Sequence, residues 1–309
     1  MGLKSRVLTV GSCFSDAMGD RLTANKVNVM VNPFGVIYNP ESIHTALRYS
    51  IFNEPVPEHT YLHHQEVFAN YNFHSAFSSL KKEELVARLA NTVGSTHYFL
   101  KDTEWLLLTY GTAWVYQRND TGEIVANCHK VPGGMFSKML LETESITSSF
   151  KSFFQQLKKF NRSIKVILTI SPVRHIKDSL ELNSVSKAIL RVACHHIASE
   201  LDDVEYFPAY ELMMDDLRDY RFYASDLLHP TADAEEYIWE KFMERYFSTE
   251  LKEFVKKWKL IQNAMKHRPF HSEASAHQQF LQETLKQLNE LRSVADVEAE
   301  ILAIRKQIL

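Results

Sequence analysis

EWLLLTYG at residues 104–111 and SIKVILTIS at residues 163–171 are the stretches that decide the fold. Both are short runs in which apolar side chains fall on both faces of an extended chain. Strands of this kind are typical of a parallel sheet that helices cover on both sides. The two stretches therefore predict an α/β fold.

Three further β-rich runs, at residues 7–10, 27–31 and 204–207, alternate with helical or irregular stretches. This rhythm predicts an open, twisted sheet of about five parallel strands. One interruption, AWVYQRNDTGEIVANCHK at residues 113–130, places the turn-forming residues 119–122 between two alternating segments. It predicts an inserted β-hairpin at the carboxyl edge of the sheet, where open α/β folds bind ligands.

The last part of the chain has the pattern of helices. Apolar residues recur at three- to four-residue spacing over residues 237–258, Pro269 interrupts the pattern, and a second stripe covers residues 281–308. We expect one domain at residues 1–248 and a helical C-terminal extension at residues 249–309. The apolar face of the extension must be buried, either on the domain or in a homodimer formed through the C-terminal helices.

The composition excludes several classes of protein. A net charge of −3 over 309 residues gives no basic surface for nucleic acid. No stretch is apolar and long enough to span a membrane, and no signal-peptide pattern precedes the first strand. The three cysteines are widely spaced and outside any C-x-x-C pattern. This predicts neither a disulfide framework nor a zinc site and fits a cytoplasmic location. We expect no metal and no cofactor.

The segment VLTVGSCFSDAM, residues 7–18, joins the first predicted strand to a helix. Ser12 would lie at the carboxyl edge of the sheet, near a helix N-terminus that stabilises developing negative charge. This place suits a nucleophile, but Ser12 or Ser15 could equally cap the helix. Cys13 is a weaker candidate, because adjacent side chains point in different directions and only one can face a base.

The second chemical element is Asp226-Leu-Leu-His229, which precedes a helix late in the chain. Three-residue spacing lets the carboxylate orient the imidazole and stabilise its cation, while the other ring nitrogen faces a nucleophile. A capping aspartate beside a partly exposed histidine would show the same spacing. Combined with Ser12, the pair completes a Ser/His/Asp set.

Eight ordered motifs resemble those of the GSCFA family within the SGNH (GDSL-like) hydrolases. They are GSCFSD, NPFGVIYNP, FHSAF, LTYGTAWVY, VANCHKVP, ISPVRHIKDS, YFPAYELMMDDLRDYRFYASDLLHP and YIWEKF. The resemblance covers roughly residues 7–247, and it implies an SGNH-hydrolase-like three-layer fold with a five-stranded parallel sheet. It also implies an acyl-ester hydrolase with Ser12, Asp226 and His229 as catalytic triad.

Two positions differ from the motifs of the GSCFA family and of the SGNH enzymes. The first motif reads GSCFS, with serine in place of the alanine of the family name. The third block of SGNH enzymes, Gly-x-Asn-Asp, is here Gly111-Thr112-Ala113-Trp114, so the usual asparagine donor to the oxyanion is absent. We expect the backbone N–H groups of Ser12 and Gly35, with the hydroxyl or amide of Thr112, to form the oxyanion hole.

Further polar residues lie at the predicted edge of the site. The candidates for substrate binding are Asn32, His74, Gly111, His129, Arg174 and His175. Asn32 could instead cap a turn, and Gly35 could be a plain turn glycine. Arg174 could hold a carboxylate or sugar phosphate, or form a buried ion pair with an acidic residue of YELMMDDLRDY. The paired histidines at 63–64 and 195–196 lack the spacing of a helical zinc site.

These features favour a GDSL-like esterase or lipase that cleaves an acyl ester of a small molecule or a carbohydrate, such as a deacetylase. Two alternatives stay open. One is an acyltransferase on the same fold, which differs only in the acceptor of the acyl group. The other is a non-catalytic ligand-binding module that uses the helical tail as an interaction surface.

Overall fold

The computed structural model describes residues 1–177 and 179–309. The chain forms two compact units. One consists of Arg6–Arg21 and Val29–Lys241, and the other consists of Met1–Ser5, Leu22–Asn28 and Phe242–Leu309. The division into residues 1–248 and 249–309 stays a prediction.

The larger unit alternates strands and helices, and the end of the chain is helical. The strands are β1 (Arg6–Gly11), β2 (Asn28–Val31), β3 (Tyr61–His64), β4 (Val67–Asn70), β5 (Trp105–Tyr110), β6 (Trp114–Arg118), β7 (Ile124–Val125), β8 (Phe136–Leu140), β9 (Lys165–Ile170) and β10 (Val204–Phe207). The helices are α1 (Cys13–Ala24), α2 (Pro40–Phe52), α3 (Lys82–Lys101), α4 (Thr143–Phe160), α5 (Leu180–Glu200), α6 (Ala232–Tyr246), α7 (Thr249–Lys266), α8 (Ser275–Leu291) and α9 (Glu298–Arg305). Short helical turns lie at Glu58–Thr60, Ser75–Phe77, Gly133–Met135, Ala209–Glu211, Leu212–Asp216 and Tyr220–Phe222.

The central sheet has five strands in the order β10-β9-β5-β1-β2. The pairs β1/β5, β5/β9 and β9/β10 are parallel, with Gly11 opposite Thr109 and Thr109 opposite Thr169. In this order the first strand of the sheet lies between the second and third, which is the arrangement of flavodoxin-like folds. The predicted α/β fold with a five-stranded parallel sheet is confirmed, and its strands begin and end within about a residue of the predicted runs.

Helices cover the sheet because its strands are apolar on both faces. Successive side chains of a strand point to opposite faces. On one face Leu8, Leu106 and Val166 join a core to which α2, α3, α4 and α5 contribute. On the other face Leu107 and Ile167 are also fully buried. A sheet buried on both sides gives the three layers expected from the sequence.

The predicted hairpin is also confirmed. Strands β6 and β7 pair in antiparallel fashion across the turn at residues 119–122, and Gly122 in that turn has φ +72°. A third strand, β8, pairs along the other side of β6, and a separate two-stranded ribbon joins β3 to β4. Neither β8 nor this ribbon was predicted. The insertion is therefore a three-stranded antiparallel sheet.

The C-terminal apolar stripe is largely buried. Leu281 and Leu288 of α8 and Ile301 of α9 are almost fully buried. The unit also contains the turn after α1, where the Trp258 indole Nε1 donates to the Ala24 carbonyl at 2.7 Å. The second predicted stripe is broken between α8 and α9. None of the helices in the described ranges has the length and apolar character that a bilayer span needs.

Candidate active site

Ser12 lies between the last residue of β1 and the first residue of α1. Gly11 before it has φ +144°, and a Cβ there would collide with the Thr109 carbonyl oxygen of the neighbouring strand. Only glycine therefore lets β1 turn into the helix so close to β5. Ser12 is fully buried, and its Oγ accepts a hydrogen bond from the Phe14 N–H at 3.3 Å. Ser12 thus caps α1 at the position predicted for a nucleophile.

Asp226 and His229 form a tight pair. Their Oδ2 and Nδ1 atoms are 2.6 Å apart, while Asp226 Oδ1 accepts from the N–H groups of Leu228 at 2.8 Å and His229 at 3.0 Å. These hydrogen bonds lower the pKa of Asp226 to about 2, and the largest effects come from the backbone N–H groups of His229 and Leu228. Leu227, at φ +60°, reverses the chain between the two partners. The carboxylate therefore fixes the ring and leaves Nε2 for another partner.

The structure does not close the triad with a hydrogen bond. Within the described residues, no hydrogen bond joins Ser12 to His229, and the His229 side chain is half exposed while Ser12 is buried. Burial is the main cause of the lowered pKa of His175, and the nearby charges of Lys187 and His229 lower it further. Catalytic hydrogen bonds are often long before substrate binds.

The three expected oxyanion donors already have acceptors. The backbone N–H groups of Ser12, Gly35 and Thr112 each donate to a backbone carbonyl oxygen. Their acceptors are Thr109 at 3.1 Å, Asn32 at 2.8 Å and Tyr38 at 3.1 Å, in that order. The Thr112 hydroxyl also has neighbours, because it accepts from the Trp114 N–H at 3.1 Å and lies 3.1 Å from the Ser186 hydroxyl. An oxyanion would have to compete with these partners.

Asn32 supports the backbone around Ser12. Its Oδ1 accepts from the Gly11 N–H at 2.8 Å, and its Nδ2 donates to Asp16 Oδ1 at 2.6 Å and to the Ser12 carbonyl at 3.4 Å. Burial is the main reason that the pKa of Asp16 is raised. Asn32 is itself buried and has φ +37°. Its amide is therefore occupied in holding the turn that carries Ser12.

Two predicted histidines make local contacts on the β3–β4 side. His74 packs against Gly35, and a Cβ on Gly35 would collide with the Cβ of His74. His74 Nδ1 accepts a hydrogen bond from the Ala76 N–H at 3.2 Å. The His129 ring is hydrogen-bonded through Nε2 to the Asn70 carbonyl at 2.7 Å, and burial lowers its pKa. His129 also lines a cavity of about 290 Å³.

Arg174 holds the loop that carries the Asp–His pair. Its backbone N–H donates to the Leu228 carbonyl at 3.3 Å and its Nη1 to the Leu227 carbonyl at 3.2 Å. The guanidinium lies 4.0 Å from the ring centre of Tyr223 and 5.7 Å from that of Tyr220. Among the described residues it makes no ion pair, so the ion pair considered from the sequence is replaced by carbonyl and aromatic contacts.

Gly111, Tyr38 and His175 pack together where β5 ends. The Gly111 N–H donates to the Tyr38 carbonyl at 2.7 Å, and a Cβ on Gly111 would lie 3.0 Å from Tyr38 Cδ1 and 3.1 Å from His175 Nε2. That Nε2 atom is buried and has no hydrogen-bond partner in residues 1–177 and 179–309. Burial, more than any neighbouring charge, lowers the pKa of His175 to about 4. The ring is therefore neutral at ordinary pH.

Lys187 is a residue of this region that was not expected from the sequence. Its ammonium is fully buried and donates to the Gly111 carbonyl at 2.8 Å and the Ser171 carbonyl at 2.7 Å, which follow the ends of β5 and β9. Burial lowers its pKa to about 7. A signal existed in the sequence: Lys187 stands on the buried stripe of α5 together with Ser186 and Leu190, where a lysine is unusual.

A cavity of about 570 Å³ opens beside these residues. Tyr38, Thr112 and His175 are among the residues that line it, together with Trp114 and Tyr116 of β6. Its cationic lining residues are Lys130, Lys138 and Lys177. The volume falls within the roughly 300–1,000 Å³ range of small-molecule sites.

Cys13 is a poor candidate for a nucleophile. The part of the chain that the structure describes contains Cys13, Cys128 and Cys194 as free thiols. Burial raises the pKa of Cys13, so its thiol stays protonated and a poor nucleophile. The same residues contain no group of three or more His, Cys, Asp or Glu side chains that could hold a metal ion.

Comparisons with known proteins give the family. Among solved structures, the chain is similar to a Streptococcus pneumonia protein provisionally described as a platelet activating factor, with TM-score 0.38 and 13% identity over 79% of this chain and 84% of that chain. It is also similar to an acetyl xylan esterase, Est2A, from the rumen bacterium Butyrivibrio proteoclasticus, with TM-score 0.40 and 11% identity. That match covers 78% of this chain and 62% of the esterase chain. A comparison with curated proteins found no match. Residues 258–309 match the C-terminal domain of GSCFA domain proteins, and residues 6–242 match the GSCFA family itself, so the chain belongs to the GSCFA family.

Proposed function

We propose that the protein is a serine-dependent acyl-ester hydrolase in which Ser12 is the nucleophile, His229 the general base and Asp226 the residue that orients the base. The observation that carries the proposal is the Asp226–His229 pair, with Oδ2 and Nδ1 2.6 Å apart. A carboxylate whose pKa is about 2 stays ionised, holds the proton on Nδ1 and stabilises the imidazolium that forms during the reaction. Nε2 is then the nitrogen that accepts a proton.

The reaction would proceed through two acyl transfers. The Ser12 hydroxyl gives its proton to His229 Nε2 while Oγ bonds to the ester carbonyl carbon. The tetrahedral intermediate collapses, His229 returns the proton to the departing alkoxide, and the acyl-enzyme remains. Water then attacks in the same way and releases the acid. Ser12 Oγ and His229 Nε2 must come within about 2.6–3.2 Å when substrate binds.

The cavity of about 570 Å³ supports a polar substrate. Its aromatic walls at Trp114 and Tyr116 suit the flat face of a sugar ring, and its lysines provide donors for hydroxyl or acidic groups. A long acyl chain would need a longer apolar channel. We therefore propose a short acyl group, such as acetyl, on a carbohydrate or small metabolite. The free cysteines favour a cytoplasmic location.

The decisive experiment is covalent labelling with a fluorophosphonate probe, followed by peptide mapping. We expect the label on Ser12 in the natural chain and none in Ser12→Ala. Ser15→Ala is the matched control, because Ser15 is also buried near the start of α1 and its hydroxyl has no partner in the described residues. Turnover of p-nitrophenyl acetate should fall on the order of a thousandfold or more in Ser12→Ala and stay nearly unchanged in Ser15→Ala.

Two other outcomes would favour the alternatives. An acyltransferase would form the same labelled Ser12 but would release the acyl group faster to an added alcohol than to water. A binding module would take up no label and would show no turnover. Label on Cys13 instead of Ser12 would contradict the assignment of the nucleophile.

A further inference from the structure

The strongest unexplained feature of the site is the buried Nε2 atom of His175. It has no hydrogen-bond partner within the described residues, whereas the large majority of buried polar side-chain atoms have one. The backbone N–H of His175 is bonded to Asn183 Oδ1 at 2.9 Å, so the residue itself is firmly placed. An unsatisfied nitrogen in a firmly placed ring is a cost that a bound group could remove.

The position of this nitrogen relative to Ser12 follows from the sheet. Gly11 and Thr109 are opposite each other on neighbouring parallel strands, which lie about 4.8 Å apart. Ser12 comes directly after Gly11, and Gly111 comes two residues after Thr109. His175 Nε2 lies 3.1 Å from the place where a Gly111 Cβ would be. The nitrogen therefore lies beside Gly111, just after the end of β5, and β5 pairs with the strand that ends immediately before Ser12.

Gly111 also marks the block in which SGNH enzymes carry the asparagine that this chain lacks. The other expected donors, the N–H groups of Ser12, Gly35 and Thr112, already donate to backbone carbonyl oxygens. His175 thus offers a donor beside the first residue of the block from which the asparagine is missing. A methyl group on Gly111 would enter the space beside that donor.

The protonation state of His175 fits the role of donor and not that of base. Its pKa is lowered to about 4, first by burial and then by the charges of Lys187 and His229. A neutral imidazole carries one N–H and still donates a hydrogen bond. A neutral histidine that polarises an oxygen is known chemistry, since an imidazole can act as an electrophile without being protonated.

One aromatic contact to the ring and two hydrogen bonds near it order this region. The centre of the His175 ring lies 4.9 Å from that of Tyr38, with the two planes at 78°. Lys187 donates to the carbonyl oxygens of Gly111 and Ser171, which follow the ends of β5 and β9. Donors that are fixed before the reaction stabilise charge without reorganisation.

We propose that His175 is a catalytic residue which donates Nε2–H to the oxyanion of the tetrahedral intermediate, in place of the absent third-block asparagine. This inference rests on the proposed function, because it needs an acyl-enzyme at Ser12.

The test compares His175→Gln with His175→Leu in p-nitrophenyl acetate turnover. Glutamine keeps an N–H donor of similar reach but cannot act as a base, whereas leucine has no donor. We expect kcat to fall about 100- to 1,000-fold in His175→Leu and less than about tenfold in His175→Gln, with KM nearly constant in both. His195→Leu, on the exposed side of α5, is the control and should leave kcat unchanged. If His175→Leu does not fold, His175→Phe, which keeps a ring and has no donor, replaces it.

Each result decides the matter. Equal losses in the glutamine and leucine variants would overturn the proposal, because the histidine would then act as a base or only as a packing group. Full activity in the leucine variant would overturn it as well. If the natural chain takes no fluorophosphonate label at Ser12, the proposed function fails, and this inference fails with it. Label on Ser12 with an unaffected leucine variant would refute the inference alone.

Discussion

Lys187→Met replaces a buried ammonium by an apolar chain of similar length, and the structure gives the size of the effect. Burial lowers the pKa of Lys187 from its usual 10.5 to about 7. Each pKa unit corresponds to about 1.36 kcal/mol of preference for one protonation state. The fold therefore disfavours the charged form by about 5 kcal/mol relative to the unfolded chain.

The direction of the pH dependence follows from where the proton is bound. Below about pH 7 both the folded and the unfolded chain hold it, so the full cost of burying the charge applies. Between about pH 7 and pH 10.5 the unfolded chain still binds the proton but the folded chain does not. The free energy of unfolding therefore rises with pH over this window. The neutral amine still has N–H donors for both carbonyl oxygens.

Methionine has no proton to release and leaves the Gly111 and Ser171 carbonyl oxygens without this donor, which costs about 1–3 kcal/mol for each. We expect wild type and Lys187→Met to be similar in stability near pH 6, because the lost bonds and the removed charge offset each other. Toward pH 10 wild type should become the more stable, and the difference should grow by about 4 kcal/mol between pH 7 and pH 10.

Urea unfolding at several pH values from about 6 to 10 measures this difference. Lys101→Met, at the exposed end of α3, is the control for the loss of one positive charge and should follow wild type at every pH. If the free energy of unfolding changed with pH in the same way in wild type and Lys187→Met, the reasoning would be refuted. That result would mean that Lys187 keeps its proton in the folded chain and that burial does not lower its pKa.

Other consequences of the structure can be tested separately. Thr112→Val should lower kcat less than about tenfold and destabilise the fold by about 1 kcal/mol, because the Thr112 hydroxyl is hydrogen-bonded to Trp114 and Ser186. Steady-state kinetics measures the first effect, and urea unfolding measures the second. Arg174→Met should lower kcat with little change in KM, since it frees the loop that carries the Asp–His pair; an increase in KM alone would indicate substrate binding instead. Deleting residues 270–309 should lower the unfolding temperature or change the mass seen by light scattering, because it exposes the buried face of α7, while ester turnover changes far less.

Much of the fold was predictable because its signals are local. The strands β5 and β9 are continuous apolar runs, and both are almost entirely buried. The strands that were missed are those without such a signal. In β8 three of the five residues are exposed, and in β3 none is fully buried. Their pairing depends on partner strands and not on the burial of their own side chains.

The same contrast applies to the site. Asp226 and His229 are three residues apart, so their contact follows from local geometry and could be predicted. The expected oxyanion donors could be named from the sequence. The sequence could not show whether each of these N–H groups is already hydrogen-bonded in the folded chain. The N–H of Thr112 is bonded to Tyr38, and that of Ser12 to Thr109, each on a segment remote in the chain. Only the folded chain brings these acceptors to the strand ends.

The buried Lys187 and the neutral His175 both lie beside Gly111. Burial is the main cause of the low pKa of His175, and the charge of Lys187 lowers that pKa further. When acidification puts a proton on Lys187, it therefore makes protonation of His175 harder. His175 stays neutral down to about pH 4, so the proposed N–H donor is unchanged over the range in which an esterase is assayed. A loss of activity on acidification from neutral pH to about pH 4 would therefore not come from protonation of His175.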